Sequence, residues 1–469
     1  MRASLAQLAL ALTGARLTND ADFNGVTTDS RNVAPGALFV ALRGERFDGH
    51  DFLPQLAATG VAGVIAEQLP PGWTLPAILV PNTLTALGQA GHFWRAKFSM
   101  PLIGVTGSNG KTTVKEMIAA ILAAAYGEDA RLATRGNLNN EIGVPLTLMR
   151  LQGVHRAAVI ELGMNHPGEI ARLAAIAAPT IGMVNNAQRE HQEFMHTVEA
   201  VALENGAVLA ALPPDGVAVY PADDVYTPLW AGLAGARRSI TFGLDATANV
   251  SCSHQAGDFG SNLAVTVSID GAAVQEFTQQ FNIKLAAAGV HNVRNALAAI
   301  ACATAAGVEQ DAIVRGLEAF APVSGRLQHN RAPSGASIID DSYNANPDSV
   351  RAAIDVLAQA GAPRILVLGD MGEVGAQGRQ FHEEIAAYAV SRGIESVLVT
   401  GELARHMRGA GIQHFEQFDE LLAALDLALG TKSDATVLVK GSRFMKMERA
   451  VQHLLGLIVR SQPNGKEAH

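Results

Sequence analysis

Residues 107–113 read Gly-Ser-Asn-Gly-Lys-Thr-Thr and follow an apolar run, Leu102-Ile-Gly-Val-Thr106. Two glycines let a backbone turn close around phosphate oxygens, a lysine brings a point charge, and a threonine hydroxyl suits a magnesium ion. In that reading Gly107, Ser108, Asn109 and Gly110 wrap a nucleotide phosphate chain with their amides. Lys111 reaches the outer phosphates, Thr112 ligates magnesium, and Thr113 completes the segment, so the ligand is ATP or GTP. The pattern departs from the general G-x-x-x-x-G-K-[ST] at Val105, where glycine is usual, although Gly104 and Gly107 flank it. The bland alternative is a glycine turn ahead of an ordinary helix.

Other residues invite chemistry with less local support. Glu161 closes the apolar stretch Ala157-Ala-Val-Ile160, where a magnesium ion beside Lys111 and Thr112 would need a hard oxygen; a solvated acid at a strand end is the alternative. His191, after another strand end, is equally a ligand or a bystander. Asn292 and Asn295 open a helical stretch, where asparagine caps helices but also reads an adenine edge. Arg326 sits beside a flexible stretch and could bring a guanidinium to a γ-phosphate on domain closure, or simply face solvent. Asparagines crowd residues 136–143 and 340–348, where Asn137, Asn139, Asn140, Asn344 and Asn346 suit a sugar or peptide backbone, or plain turns.

These residues need elements to hold them. Val114, Met117, Ile118, Ile121, Leu122 and Ala125 recur at helical steps, which predicts strand, phosphate loop and helix in succession. Apolar strands at 102–106, 157–162, 181–184 and 217–220 alternate with helical patterns, predicting a mostly parallel sheet. Leu263, Val265, Val267 and Ile269 alternate into Asp270-Gly271, predicting an antiparallel hairpin beside that sheet. The first hundred residues, with Pro35-Gly36 and the strand-like Ala37–Leu42, read as a small α/β unit. After the linker-like Phe320–Gly325, of which Pro322–Gly325 should act as a hinge, four strands run into Asp340-Asp341, Gly369-Asp370, Thr400-Gly401 and Lys440-Gly441, polar ends that suit a shared cleft. The expected fold class is α/β with three domains: 1–100, 101–322 with a parallel-sheet phosphate-loop core, and 323–469 with a Rossmann-like pattern.

Composition narrows the function classes. Of 469 residues, 48% are hydrophobic and 17% charged, which is ordinary for a globular chain. Lysine plus arginine total 35 against 44 acidic residues, a balance of -9 that argues against nucleic acid as a partner. Cys252 and Cys302 are the only cysteines, so no disulfide framework or thiolate metal site is available. Leu5, Leu8, Ala9 and Leu12 mark a short amphipathic helix rather than a signal peptide. No apolar segment reaches membrane-spanning length, so the expectation is a cytoplasmic protein without membrane insertion.

Taken together, the segments resemble the ATP-dependent Mur ligases of bacterial cell-wall precursor synthesis over nearly the whole chain. The first unit carries Asp29-Ser-Arg31, Pro35-Gly-Ala-Leu-Phe-Val-Ala-Leu42 and Asp48-Gly-His50. The second carries the phosphate loop, Gly136-Asn-Leu-Asn-Asn140, Glu161-Leu-Gly163, and His291-Asn292 with Asn295. In the third, Asp340-Asp-Ser-Tyr-Asn-Ala-Asn-Pro347, Leu368-Gly-Asp-Met-Gly-Glu373 and Lys440-Gly-Ser-Arg443 resemble the branch that adds a terminal dipeptide. The Asp-Asn-Pro-Arg string of the branch adding diaminopimelate or lysine is absent.

The resemblance implies a reaction. ATP phosphorylates the terminal carboxylate of UDP-N-acetylmuramoyl-tripeptide, and the amine of D-alanyl-D-alanine then displaces phosphate. It further implies Lys111 on the triphosphate, Thr112, Glu161 and His191 on magnesium, and Arg326 on the transferring group. His291, Asn292, Asn295, Asp341 and Tyr343 would serve the nucleotide. Asp29, Ser30 and Arg31 would hold the uridine end, with Asn137, Asn139, Asn140, Asn344, Asn346 and Lys440 on the substrates; apart from the resemblance, a monomer is the simplest expectation. One departure stands out: ungapped spacing puts Asn205 where many relatives carry a carbamylated lysine that ligates a second magnesium, and no lysine occurs between Lys115 and Lys284. No such carbamate is expected here; Glu204, Glu199, or water and phosphate oxygens would replace it. Ser108 stands where relatives often have threonine. The competing readings are another ligase of the superfamily, acting on folate or cyanophycin, and a nucleotide-gated binding protein that forms no peptide bond.

Overall fold

A computed structural model describes residues 1–44, 47–190, 192–257, 259–269, 277–430 and 432–457. The chain forms three α/β units in sequence order, each with its own principal sheet, as its alternating pattern predicts. In the first, strands Val26–Thr27, Leu38–Val40, Gly63–Ala66 and Ala77–Leu79 run parallel, and Arg16–Leu17 closes one edge antiparallel. Helix α1 (Thr83–Arg95), capped by the Asn82 side chain, leads out of this unit.

The second unit is a nine-stranded sheet. Its strands are β1 (Leu102–Thr106), β2 (Arg131–Ala133), β3 (Ala157–Glu161), β4 (Ile181–Val184), β5 (Val217–Pro221), β6 (Arg238–Phe242), β7 (Val250–Gly257), β8 (Gly260–Ile269) and β9 (Phe277–Leu285), in spatial order β9-β8-β7-β6-β5-β4-β1-β3-β2. The strands from β2 to β7 are parallel and the last three form an antiparallel meander. The hairpin expected beside the sheet is joined to it, through the Phe242–Val250 pairing. The Asp270-Gly271 turn lies outside the described residues. Helices α2 (Lys111–Tyr126), α3 (Gly143–Leu148), α4 (Glu169–Ala177), α5 (Val198–Ala210) and α6 (Val290–Ala305) cover the two faces. The apolar stripe predicted for α2 is buried as expected, with Val114, Met117, Ile118, Ile121 and Leu122 inaccessible to water.

The third unit has six strands: β10 (Gln328–Arg331), β11 (Ser337–Asp341), β12 (Arg364–Leu368), β13 (Ser396–Thr400), β14 (Ile412–Phe415) and β15 (Thr436–Lys440), in the order β10-β11-β15-β12-β13-β14. All are parallel except β10. Helix α7 (Pro347–Ala358) begins with a capping box between Asn346 and Ser349, and α8 (Gly378–Ser391) packs beside it. Their apolar faces share one core with Leu366, Val397 and Leu438.

Candidate active site

Parallel pairing places the chemistry. Strand β1 lies between β3 and β4, and its register sets Glu161 opposite Val105 and Val184 opposite Thr106. The carboxylate of Glu161 and the residues following Val184 therefore flank the phosphate loop at the carboxyl edge of the sheet, where open parallel sheets bind ligands. Gly110, the N-cap of α2, has φ +82, and a Cβ there would stand 2.4 Å from Asn295 Oδ1 and 2.6 Å from Asn185 Nδ2. Only glycine fits both that backbone and that space.

An asparagine lattice fixes the loop. Asn185 Nδ2 donates to Asn109 O at 2.7 Å and to Asn295 Oδ1 at 2.9 Å, and Asn186 Oδ1 accepts from Asn109 N at 2.9 Å. Asn295 donates in turn to Asn292 Oδ1 at 3.0 Å, and Asn292 to Ala288 O at 2.8 Å. Asn292 and Asn295 are thus neither caps, since Gly289 is the N-cap of α6, nor free amides; they buttress the loop from behind. Ser108 and Asn109 are further tied to Gln188, with Ser108 Oγ accepting from Gln188 N at 2.8 Å. Lys111 Nζ donates to the carbonyls of Gly107 and Ser108 and lies 3.3 Å from Glu190 Oε2.

Glu161 is 2% exposed, its Oε1 accepts from Asn139 Nδ2 at 2.8 Å, and its Oε2 has no hydrogen-bond partner among the described residues. A buried carboxylate oxygen left unpaired is costly unless a cation meets it. That donor fits magnesium, as does Thr112 on the first turn of α2. Among the described residues no three His, Cys, Asp or Glu side chains cluster as a ready-made cage, so most ligands of such an ion would come from water and phosphate. His191 lies outside the described residues. Asn205, fully buried on α5, directs Oδ1 at the Thr106 hydroxyl (2.6 Å) and the Gly107 N–H (3.1 Å), bracing the loop's entry. Glu204 accepts from Gly168 N and Ile170 N at 2.8 Å each and so caps α4, while Glu199 is exposed; neither reads as a metal ligand.

The third unit brings its own polar ends to the same place. Lys440 Nζ reaches Asp341 Oδ2 at 2.6 Å and Asn344 O at 2.8 Å, so its charge is engaged inside the protein. The Arg326 guanidinium stacks 4.3 Å from the Tyr343 ring. Asn346 Nδ2 donates to Asn109 Oδ1 at 2.9 Å, a direct bond from the third unit to the phosphate loop. His291 is half-buried on α6; loss of water, then the Lys440 charge, push its pKa down to about 4 against a smaller upward pull from Asp355, and it is neutral. These groups border one cavity of about 850 Å³ that also takes in Asn137, Asn140 and, from the first unit, Leu84. Asp29, Ser30 and Arg31 lie apart from it in the first unit, where Arg31 pairs with Asp29 at 2.9 and 2.8 Å and holds that carboxyl at about 2.

The sequence reading missed Asn185, Asn186, Arg189 and Glu190. Their one local signal was position, immediately after a strand aligned with the phosphate loop. Arg189 binds Asp348 at 2.7 Å and Glu384 at 3.0 Å, joining the second unit to the third.

A glycine phosphate loop at the edge of a parallel sheet, met by two further α/β units across one cavity, defines a nucleotide-using enzyme of several substrates. Family models match in the same order: Mur ligase family, catalytic domain, over residues 22–91; Mur ligase middle domain over 105–303; and Mur ligase, glutamate ligase domain, over 325–443. The chain is 38% identical to the UDP-N-acetylmuramoyl-tripeptide–D-alanyl-D-alanine ligase of Escherichia coli (strain K12), over 96% of this chain and 98% of that one. It is 34% identical to the enzyme of that name from Bacillus subtilis (strain 168), over 92% and 93%. Crystal structure I of MurF from Acinetobacter baumannii superposes with a TM-score of 0.89 at 33% identity, covering 97% of this chain and 99% of that one. MurF ligase from Thermotoga maritima in complex with ADP gives 0.82 at 26% identity, covering 92% and 97%. The chain belongs to the Mur ligase family, in its UDP-N-acetylmuramoyl-tripeptide–D-alanyl-D-alanine ligase branch.

Proposed function

We propose that this chain joins D-alanyl-D-alanine to UDP-N-acetylmuramoyl-tripeptide with ATP as the energy source, in peptidoglycan synthesis. The observation that carries the reading is the single cavity shared by Leu84 of the first unit, Lys111 of the second and Tyr343 of the third, which offers a phosphate loop and walls for two further substrates.

The terminal carboxylate of the tripeptide attacks the γ-phosphorus, the bond from that phosphorus to the bridging oxygen breaks, and ADP leaves. The D-alanyl-D-alanine amine then attacks the acyl carbon, phosphate leaves, and the amine loses a proton. Lys111 and the free amides at the start of α2 hold the phosphate chain, a task of positioning and electrostatics. Arg326, displayed on Tyr343, meets charge on the transferring group when the third unit is docked. Thr112 and Glu161 would hold a magnesium ion, which would supply Lewis-acid neutralisation of that charge. Asn205 leaves no lysine to carbamylate, so activity should survive removal of bicarbonate. No helix among the described residues is long and apolar enough to cross a membrane, and a reaction that uses ATP and a UDP-linked substrate belongs in the cytoplasm.

Phosphate release from ATP should require the muramoyl tripeptide and the dipeptide together and yield their amide. Full release without the dipeptide, or none with all three substrates, would sink the reading.

A further inference from the structure

From the contacts around Glu161 we infer that Asn139 is a positioning residue for the metal site: its side-chain amide fixes the Glu161 carboxylate so that Oε2 is presented to the cation. The inference rests on the reading of Glu161 as a metal ligand, and it moves Asn139 away from the substrate-binding role that its residue type suggests.

Three observations converge. A carboxylate only accepts, so the 2.8 Å contact is necessarily Asn139 Nδ2–H donating to Oε1, which fixes the amide's orientation. Asn139 is itself clamped, because its carbonyl accepts from Gly163 N at 2.8 Å while Gly163 lies against the amide; a Cβ at 163 would stand 2.8 Å from Asn139 Cγ. Glu161 is clamped on the other side, its N–H donating to Thr134 Oγ1 at 2.9 Å where β3 runs beside β2. With backbone and Oε1 both fixed, the carboxylate has one arrangement, and its remaining oxygen is the buried atom without a partner among the described residues. Outer partners of this kind orient metal ligands and raise affinity by removing alternative rotamers.

Neighbours on the same loop do other work. Asn140 Oδ1 accepts from Gly143 N at 2.9 Å in the turn ahead of α3, and Asn137 borders the cavity, as Asn139 itself does. The loop that carries Asn137 toward substrate therefore also holds the carboxylate, through a residue two positions away.

The test measures Mn2+ binding to the full chain with ADP by electron paramagnetic resonance, which needs no turnover. Asn139→Ala should weaken Mn2+ binding by about tenfold or more. The KM for D-alanyl-D-alanine should stay within about twofold, and raised Mg2+ should recover part of the lost kcat. Gly163→Ala, which leaves both side chains in place but crowds the amide, should reproduce the defect and keeps the test open if Asn139→Ala misfolds. Unchanged Mn2+ affinity in the folded variants, or a rise confined to the KM for the muramoyl tripeptide, would overturn the inference. Glu161→Gln separates the two layers. If it leaves Mn2+ binding intact, the ligand reading itself fails; if it weakens binding while Asn139→Ala and Gly163→Ala do not, only the positioning role fails.

Discussion

The second unit meets its two neighbours through surfaces of opposite character. Toward the first unit, α1 lies on α3 and α4 with little space between them: a Cβ on Gly91 would stand 2.8 Å from Pro145 Cα, and one on Gly88 would stand 2.9 Å from Ile176 Cδ1. Trp94 packs into the second unit's core and donates to Leu151 O at 3.0 Å, and Met149 joins the first unit's core. Toward the third unit the side-chain bonds are polar and part-buried, Arg189 to Asp348 and Glu384 and Asn109 to Asn346, beside a smaller apolar contact in which Phe259, stacked 3.8 Å from His329, and Ala288 meet the third unit's core. Separating apolar surfaces exposes them to water, whereas ion pairs and amide bonds exchange for water at small net cost. On this basis the first interface is expected to stay closed and the second to open, about the Ala321–Ser324 segment that joins the second and third units, since Gly325 is already bonded to Asp340 and Tyr343.

Lys111 belongs to neither interface and provides the reference. Lys111→Ala should lower turnover by at least about 10²–10³-fold while leaving the circular dichroism spectrum and melting point unchanged; an unfolded variant would mean that the side chain serves the core. At the apolar interface, Gly91→Ala should cost about 1–3 kcal/mol in chemical denaturation, because backbone faces backbone there. A neutral result would break the contrast at its stronger side. At the polar interface, Arg189→Ala should change stability by no more than about 1 kcal/mol. It should nevertheless enlarge the radius of gyration in small-angle scattering, and lessen the compaction expected when nucleotide and tripeptide substrate saturate the protein. An unchanged scattering profile would show that these contacts do not govern docking.

The smallest effect is also the most local. His291 is on the second unit, but Lys440 and Asp355, which perturb it, are on the third. Its imidazole should titrate near 4 by NMR, below the ordinary 6.5, and should move upward in Arg189→Ala as the third unit withdraws. The sign for stability follows from proton binding. Between pH 6.5 and about 4 the unfolded chain holds the extra proton, so this histidine's contribution is complete above 6.5 and is lost as pH falls through that window. His291→Gln should flatten that part of the stability profile.

How much of this was legible in the sequence depended on how local each feature is. The phosphate loop and α2 could be read because glycine spacing and helical periodicity lie within about twenty residues of one another. The three-unit α/β arrangement followed from alternating strand and helix patterns in the same way. Asn185 was invisible as a site residue because its partners, Asn109 and Asn295, stand 76 and 110 residues away. Asn139 carried the right side chain for substrate recognition, and nothing nearby in the chain announced Glu161, 22 residues on. The hairpin was recognised by its alternation, but a single paired position, Phe242 with Val250, decided that it extends the sheet.

Asn109 occupies two structures at once: it is part of the loop proposed to grip phosphate and half of an amide pair with Asn346 of the third unit. Thermodynamic reciprocity then applies to this residue. By whatever factor triphosphate favours the joined arrangement of the two units, joining them must tighten triphosphate by the same factor, so a compound that wedges apart Asn109 and Asn346 would loosen nucleotide by the strength of that coupling.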